Sequence, residues 1–330
     1  MVYDNSYGVL LCNLGTPDDH SPLSVREYLR EFLSDSRVVS LPRFLWLPIL
    51  YGVILPFRSR ASAKKYAKIW TENGSPLFVE QDKQAECLSQ AFQNHGTNIQ
   101  VKWAMRYGNS SRIHDRLNEF KELGISKIII LSNYPQFSYT TTASVADSVR
   151  DWINKSNTTN PPSIYFVEPF FDDAFYIDAL KESVFSFWEK NGKSKHLLMS
   201  FHSLPQRCID GGDPYQKQCE STAKLLANAL NLSTGEYSVG FQSKLGRGKW
   251  LSPSTRNQVQ ALLANDGTSV DVICPGFPCD CLETLEEINI AEREYFLQSG
   301  GTSFNFIPCL NNSAHYTKAL KNLIEMALTH

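Results

Sequence analysis

The sequence predicts an α/β fold of two similar Rossmann-like domains, each a mostly parallel sheet flanked by helices, with the active cleft between them. Short apolar runs typical of buried strands alternate with amphipathic helical segments along the 330 residues. This alternation is typical of parallel sheets. Strand-plus-turn units at 8–17 and 196–205 both end in proline, which indicates an internal duplication. A polar stretch at Lys155–Ser163 with two prolines marks a linker.

We expect the first domain to span 1–155, the second to span 164–310, and a carboxyl-terminal helix at 311–330 to pack back on the first. Periodicity places the elements. The predicted strands lie at 8–12, 99–105, 125–131, 164–167, 196–199, 237–242, 270–273 and 304–308. The predicted helices lie at 24–33, 76–93, 113–123, 140–153, 173–188, 222–230, 255–264, 281–296 and 314–326.

Composition narrows the class of protein. The chain is 42% hydrophobic and 20% charged, with a net charge of −2. These values are ordinary for a globular protein and give no electrostatic reason to expect a nucleic-acid partner. The amino terminus is short and polar, so we expect no targeting peptide and a cytoplasmic location. Eight cysteines in such a chain are expected to be reduced thiols or ligands.

One apolar segment, Leu41–Phe57, stands out. A membrane-spanning helix needs about 20 residues, and this segment is shorter. Its prolines at 42, 48 and 56 also argue against a span, because an interior proline costs a helix about 3 kcal/mol. We expect an exposed lip that holds a flat apolar ligand, contacts a membrane surface, or does both. The alternative is a buried hairpin of short helices.

A histidine follows a short apolar run. His202 lies in the stretch Ser200–Pro205, directly after a predicted strand. Ligands bind at the carboxyl ends of strands in open α/β sheets, so His202 is a candidate catalytic residue. The alternative is a histidine whose hydrogen bonds are satisfied inside a turn. In the register of the duplication, His202 takes the place of Leu14.

A second informative stretch begins the helix predicted at 281–296. Asp280 is a candidate N-cap with Glu283 at the capping-box position, and Glu283 and Glu287 share one helical face. The alternative is that these acids have no catalytic role, since carboxylates are favourable near any helix amino terminus. His202 together with the carboxylates would form an incomplete site, suited to the transit of a divalent first-row metal ion.

Seven short motifs occur in collinear order between about residue 7 and about residue 312. They are Asn13–Pro17, Arg106-Tyr107, Tyr134–Ser138, Ser200–Pro205, Phe241–Lys244, Trp250-Leu251 and Asp280–Glu287. Together these motifs resemble the ferrochelatase family, and most closely its proteobacterial branch that uses protoporphyrin. The resemblance implies a lyase that inserts Fe²⁺ into protoporphyrin IX to form protohaem, the final step of haem biosynthesis.

The resemblance also implies roles for individual residues. His202 and Glu283 would be the catalytic pair and would contact the metal, whereas Glu287 and Asp280 would continue an acidic relay. Whether His202 accepts a proton or ligates the metal stays open. The implied porphyrin-binding residues are Leu14, Arg58, Arg60, Arg106, Tyr107, Tyr134 and Trp250.

We expect no tightly bound cofactor, since Fe²⁺ is a substrate. Some ferrochelatases hold a [2Fe–2S] cluster, but here no cysteine follows Cys309 and Tyr139 occupies the position of one animal ligand. Cys281 stands where some relatives have a second histidine. Any cluster of a different kind, which we do not expect, would draw on the cysteines of the second half. Its candidate ligands are Cys208, Cys219, Cys279 and Cys281.

Three alternative functions remain open at the level of the sequence. The nearest is a ferrochelatase that acts on coproporphyrin III, although the apolar lip favours protoporphyrin. Another is a cobalt or nickel chelatase, which usually relies on paired histidines. The third is a non-enzymatic haem- or metal-binding protein with two lobes. If the lip contacts a membrane, we expect transient, peripheral association with its inner face through residues 41–57.

Overall fold

Within the residues that the structure describes, eight parallel strands form two four-stranded sheets, as the sequence predicts. The computed structural model describes residues 7–93, 99–156, 161–244, 246 and 248–329. The amino terminus (1–6), for which we expect no targeting peptide, lies outside these residues. Part of the predicted linker (157–160) also lies outside them. The strands are β1 (Tyr7–Gly15), β2 (Ile99–Tyr107), β3 (Lys127–Ser132), β4 (Ser163–Phe166), β5 (Leu197–His202), β6 (Tyr237–Gln242), β7 (Ser269–Ile273) and β8 (Ser303–Phe306).

The two sheets have the same topology. The first has the strand order β2-β1-β3-β4 and the second has the order β6-β5-β7-β8, with every pair parallel. The central strands β1 and β5 occupy equivalent places. Leu14 and His202 therefore both lie at the carboxyl end of the first strand of their sheet, in agreement with the predicted duplication.

Helices surround both sheets. The helix that begins at Pro22 is capped by Ser21, whose hydroxyl accepts from the Ser24 N–H, and the helix that begins at Ala174 is capped by Asp173. The α-helices are α1 (Pro22–Ser34), α2 (Arg43–Ile49), α3 (Leu55–Ile69), α4 (Pro76–Gln93), α5 (Ile113–Glu122), α6 (Thr142–Lys155), α7 (Ala174–Asn191), α8 (Gln206–Asp210), α9 (Tyr215–Ala229), α10 (Thr255–Ala264), α11 (Arg293–Gln298) and α12 (Ala314–Leu328).

The chain divides into two compact units. One comprises residues 1–134, 138–168 and 320–330, and the other comprises residues 135–137 and 169–319. The predicted start of the second domain at residue 164 is wrong, because β4 pairs with β3 and extends the first sheet. The proline-containing stretch is the connection from α6 to β4 within one unit. Composition alone cannot distinguish such a connection from a linker between domains.

Each unit has its own apolar core beside its sheet. In the first unit, Leu10 and Ile130 pack with Phe120, Val149 and other buried side chains. In the second, Leu198 and Val272 lie in a cluster that also contains Ile288, Phe296 and Phe304. These cores fix the strand ends, where the candidate site residues lie.

The apolar segment is helical despite its prolines. A π-helical turn at Leu50–Ile54 joins α2 to α3, and the Leu55 N–H donates to the Leu50 carbonyl. This wider turn lies between Pro48 and Pro56, where missing N–H groups would otherwise interrupt an α-helical ladder. The segment therefore stays helical through a local change from α-helical to π-helical hydrogen bonding.

Candidate active site

His202 is the last residue of β5 and is half-buried. Its Nδ1 lies 2.7 Å from the Ser203 carbonyl oxygen. A carbonyl oxygen can only accept, so Nδ1 carries the hydrogen of this bond. In the neutral imidazole the lone pair then resides on Nε2. The backbone thus sets the tautomer in which Nε2 can accept a proton or bind a metal ion.

A long π-helix, Leu282–Glu292, begins two residues after Asp280, contains Glu283 and Glu287, and continues into α11. π-Helices are rare in proteins, and those that occur are often found at functional sites. Its N-cap is Cys281, and Thr284 rather than Glu283 occupies the capping-box position. The prediction of Asp280 as N-cap is wrong by one residue.

Asp280 instead secures the loop that leads into the π-helix. Its carboxylate accepts from the Thr284 hydroxyl at 3.0 Å, from the Asn311 amide at 2.8 Å and from the Cys309 N–H at 3.4 Å. Asp280 is also buried. Its engaged oxygens give it a structural task, so its membership of an acidic relay stays a prediction.

Gln242 connects β5, which carries His202, to the π-helix, which carries Glu283 and Glu287. It pairs with His202 across the β5–β6 ladder, and its Nε2 donates to the Glu283 carbonyl at 2.8 Å. Its Oε1 accepts from the Ser200 hydroxyl at 2.6 Å and lies 3.7 Å from the Cys274 thiol. The sequence shows Gln242 only as part of a motif. Its one signal is that an amide sits at the end of an apolar strand.

The acidic face of the π-helix contains one half-buried carboxylate at Glu283 and another at Glu287. Glu287 accepts two hydrogen bonds from Ser243, one from the N–H and one from the hydroxyl, both at 2.6 Å. Contacts through Gln242 and Ser243 therefore place the start of the π-helix beside the end of β5. The predicted convergence of His202 with the acidic face is consistent with this arrangement.

The π-helix ends in an ion pair that the sequence did not indicate. Arg256 Nε donates to both carboxylate oxygens of Glu292, at 2.8 and 3.0 Å, and its guanidinium lies over the Tyr295 ring. Burial raises the pKa of Glu292, Arg256 lowers it, and the charge of Glu287 raises it further. A buried carboxylate therefore fixes the carboxyl-terminal end of this helix.

Arg106 and Tyr107 form a polar network with Asp35 in the first unit. Arg106 donates to the Asp35 carboxylate at 2.7 Å and to the Ser144 hydroxyl at 2.8 Å. The Tyr107 hydroxyl bonds to both of these partners, and burial raises its pKa. Tyr107 is only 1% exposed and its hydroxyl contacts this network, so direct porphyrin contact stays a prediction.

A cleft of about 460 Å³ lies beside this network and the lip residue Tyr51. Arg106 pairs with Asp35 and Arg112 pairs with Glu31 on its wall. The ionisable acid and guanidinium side chains of the lining give an excess of one negative charge. These side chains are Asp18, Glu27, Glu31, Asp35, Arg30, Arg106 and Arg112.

The other predicted porphyrin-binding residues lie near strand ends, on α3 directly after the lip, and in an isolated β-bridge. Leu14 and Tyr134 are half-buried near the ends of β1 and β3. On α3, Arg58 is half-buried and Arg60 is exposed. In the second unit, Trp250 forms an antiparallel bridge with Pro205, close in sequence to His202.

The lip itself is exposed, so the alternative of a buried hairpin is wrong. Phe44 is 77% exposed, Phe57 is 76% exposed and Val53 is 53% exposed. Trp46 differs, since its indole N–H donates to the Leu33 carbonyl at 2.7 Å. Within the described residues, no helix is long and apolar enough to cross a membrane.

The cysteines are free thiols, and most are buried. Burial raises the pKa of Cys208, Cys219 and Cys281, so their thiolate forms are disfavoured. Cys279 is also buried. In the described part of the chain, no group of three or more His, Cys, Asp or Glu residues is arranged to hold a metal ion. The absence of an iron–sulfur cluster, like that of any other bound cofactor, stays a prediction.

Comparison with known proteins identifies the relatives of this chain. A family model described as Ferrochelatase matches residues 6–328. The ferrochelatase of Herminiimonas arsenicoxydans is 47% identical over 96% of this chain and 86% of its own length. That of Neisseria gonorrhoeae is 44% identical over 97% of this chain and 94% of its own length.

Solved structures support the fold. SirB from Bacillus subtilis with Fe3+ superposes with a TM-score of 0.57 at 10% identity, covering 98% of this chain and 95% of the other. At that identity the likeness concerns architecture alone. It agrees with the predicted pair of Rossmann-like parallel sheets.

Proposed function

Because the chain belongs to the ferrochelatase family, we propose that it inserts Fe²⁺ into protoporphyrin IX to form protohaem, the final step of haem biosynthesis. The observation that carries this proposal is the position of His202 at the end of β5, linked through Gln242 to Glu283 on the π-helix. The family membership supports an iron-inserting enzyme over a cobalt or nickel chelatase and over a non-enzymatic binding protein.

Metal insertion requires the loss of two pyrrole N–H protons and of the water bound to Fe²⁺. His202 supports this chemistry because the Ser203 carbonyl fixes the hydrogen on Nδ1. Nε2 is then free to accept a pyrrole proton or to coordinate the ion. Glu283 and Glu287 supply carboxylates that would guide the cation or carry protons away. A general base in this position is typically worth about 10²–10⁴ in rate.

Protoporphyrin IX is favoured over coproporphyrin III by the first unit. An apolar macrocycle needs an apolar surface, and the lip residues Phe44, Val53 and Phe57 offer one. The cleft beside Tyr51 has more carboxylates than guanidinium groups, and two of its arginines are already paired with acids. A substrate with four propionates would therefore meet more repulsion there than one with two.

The substrate is tested by incubating purified protein anaerobically with Fe²⁺ and either porphyrin, while product is followed by absorbance. Protohaem formation with kcat/KM at least tenfold higher than for coproporphyrin III is the expected result. Product from coproporphyrin III alone would overturn the choice of substrate. No product from either would overturn the proposed function.

We also infer that the lip binds a membrane surface peripherally. Its exposed apolar side chains adjoin basic residues on α3, a combination suited to an interface with anionic lipids. The test is sedimentation with anionic vesicles of the parent and of a variant with F44S, V53S and F57S. Trp46 is left intact because its hydrogen bond is internal.

The vesicle-bound fraction should fall severalfold in this variant. An exposed leucine outside the lip, Leu23, provides the control, because L23S should bind vesicles as the parent does. Equal binding by the parent and the lip variant would contradict membrane contact through this segment.

A further inference from the structure

Ser243 holds the Glu287 carboxylate with two separate donors. Its N–H reaches Oε1 and its hydroxyl reaches Oε2, each at 2.6 Å. Hydrogen bonds to an ionised acceptor are short and about twice as strong as neutral ones. Because both oxygens are held by one residue, the plane of the carboxylate is fixed. An ionised carboxylate has about four acceptor sites, so about two remain for another ligand.

The backbone of Ser243 is unusual, which points to a function. Its φ is +66°, in the left-handed region that favours glycine. Residues held in such conformations cluster at functional sites, where surrounding contacts compensate for the strain. Here the conformation aims both the N–H and the hydroxyl at Glu287.

Ser243 also follows Gln242, which holds the backbone of Glu283. Two consecutive residues at the end of β6 therefore bind two acidic residues of the π-helix. Gln242 binds the backbone carbonyl of Glu283, and Ser243 binds the side-chain carboxylate of Glu287. Both interactions are hydrogen bonds between the end of β6 and the π-helix. The end of β6 is thus built to orient the acidic face beside His202.

We propose that Ser243 is a positioning residue for metal delivery, which fixes Glu287 so that its unused acceptor sites face the incoming divalent cation. This inference rests on the proposed function. In this role Ser243 acts through Glu287, the carboxylate to which it donates both hydrogen bonds. Its loss should therefore weaken the use of metal and leave porphyrin binding unchanged.

The test compares S243A, S243G, E287A and the double variant S243A/E287A in anaerobic Fe²⁺ insertion. S243G keeps the N–H and suits the positive φ, so it reports the hydroxyl without backbone strain. We expect both single Ser243 variants to raise the KM for Fe²⁺ about tenfold, equivalent to about 1.4 kcal/mol, with the KM for porphyrin unchanged. In the E287A background, S243A should have no further effect.

Asp266 supplies a matched control, because it is exposed in the same unit and also has a positive φ, +57°. D266G should leave both KM values unchanged. Equal losses from S243A with and without Glu287, or parallel changes in both KM values, would show a merely structural role and overturn the inference. An active parent with unaltered Ser243 variants defeats this inference alone, whereas an inactive parent defeats the proposed function.

Discussion

The ion pair at the end of the π-helix predicts a pH-dependent loss of stability in R256A. The Glu292 side chain is 8% exposed and that of Arg256 is 43% exposed. Removal of Arg256 leaves a carboxylate with little access to water. A fully buried pair costs about 3–5 kcal/mol to break, whereas an exposed pair contributes less than about 1 kcal/mol. Because Arg256 is partly exposed, we expect a loss of about 1–3 kcal/mol at pH 7.5.

This loss should shrink in acid. Burial holds the pKa of Glu292 above its ordinary value even with Arg256 present, and R256A removes an interaction that lowers it. Between the unfolded pKa, about 4.3, and the higher folded pKa, the folded protein binds more protons. Stability then falls as pH rises through this window and is recovered as pH drops. The difference between parent and R256A should therefore be smaller at pH 5 than at pH 7.5.

Urea unfolding followed by tryptophan fluorescence measures both quantities. R150A is the control, since the Arg150 side chain is 69% exposed and pairs with Asp147 on the surface. It should change stability by less than about 0.5 kcal/mol. The double variant R256A/E292Q should recover most of the loss, because a neutral amide is cheaper to bury. A loss in R256A that is independent of pH, or no recovery in the double variant, would refute the reasoning.

Two further perturbations, G15A and Q242M, test the strand ends. G15A should destabilise the first unit by more than about 2 kcal/mol, because Gly15 has a φ of +127° and an added Cβ would overlap the Tyr107 carbonyl. G124A is the control: its φ is +71° but the space around it is open, so it should cost only about 1–2 kcal/mol in thermal unfolding. Q242M should cost about 1–3 kcal/mol and slow iron insertion, because the Glu283 carbonyl loses its donor. Parent-like activity in Q242M would contradict the role given to this amide.

Much of the fold follows from periodicity. Each predicted strand has a counterpart in the structure, since buried parallel strands give unmistakable apolar runs such as Lys127–Ser132. The register of the duplication also placed Leu14 and His202 at equivalent strand ends. The helix Tyr215–Ala229 begins seven residues before its predicted start at 222, because Tyr215 and Cys219 are buried on a face that a polar sequence disguises.

The candidate site was less predictable in its details. Acidic residues at i and i+4 indicate one face, but the pattern does not distinguish an α-helix from the π-helix observed at Leu282–Glu292. Hydrogen bonds of Gln242 and Ser243 depend on neighbouring strands, which no local pattern reveals. Likewise, no local pattern reveals the pairing of Arg106 with Asp35, which lies far away along the chain, and porphyrin contact by Arg106 stays a prediction.

The role of His202 is tested most directly by turnover and porphyrin binding in H202A. Anaerobic stopped-flow absorbance would follow Fe²⁺ insertion, and fluorescence quenching would follow binding of protoporphyrin IX. We predict that turnover falls at least about 10²-fold while the dissociation constant for porphyrin changes less than about threefold. Parent-like turnover in H202A would contradict the central claim that this histidine carries the chemistry.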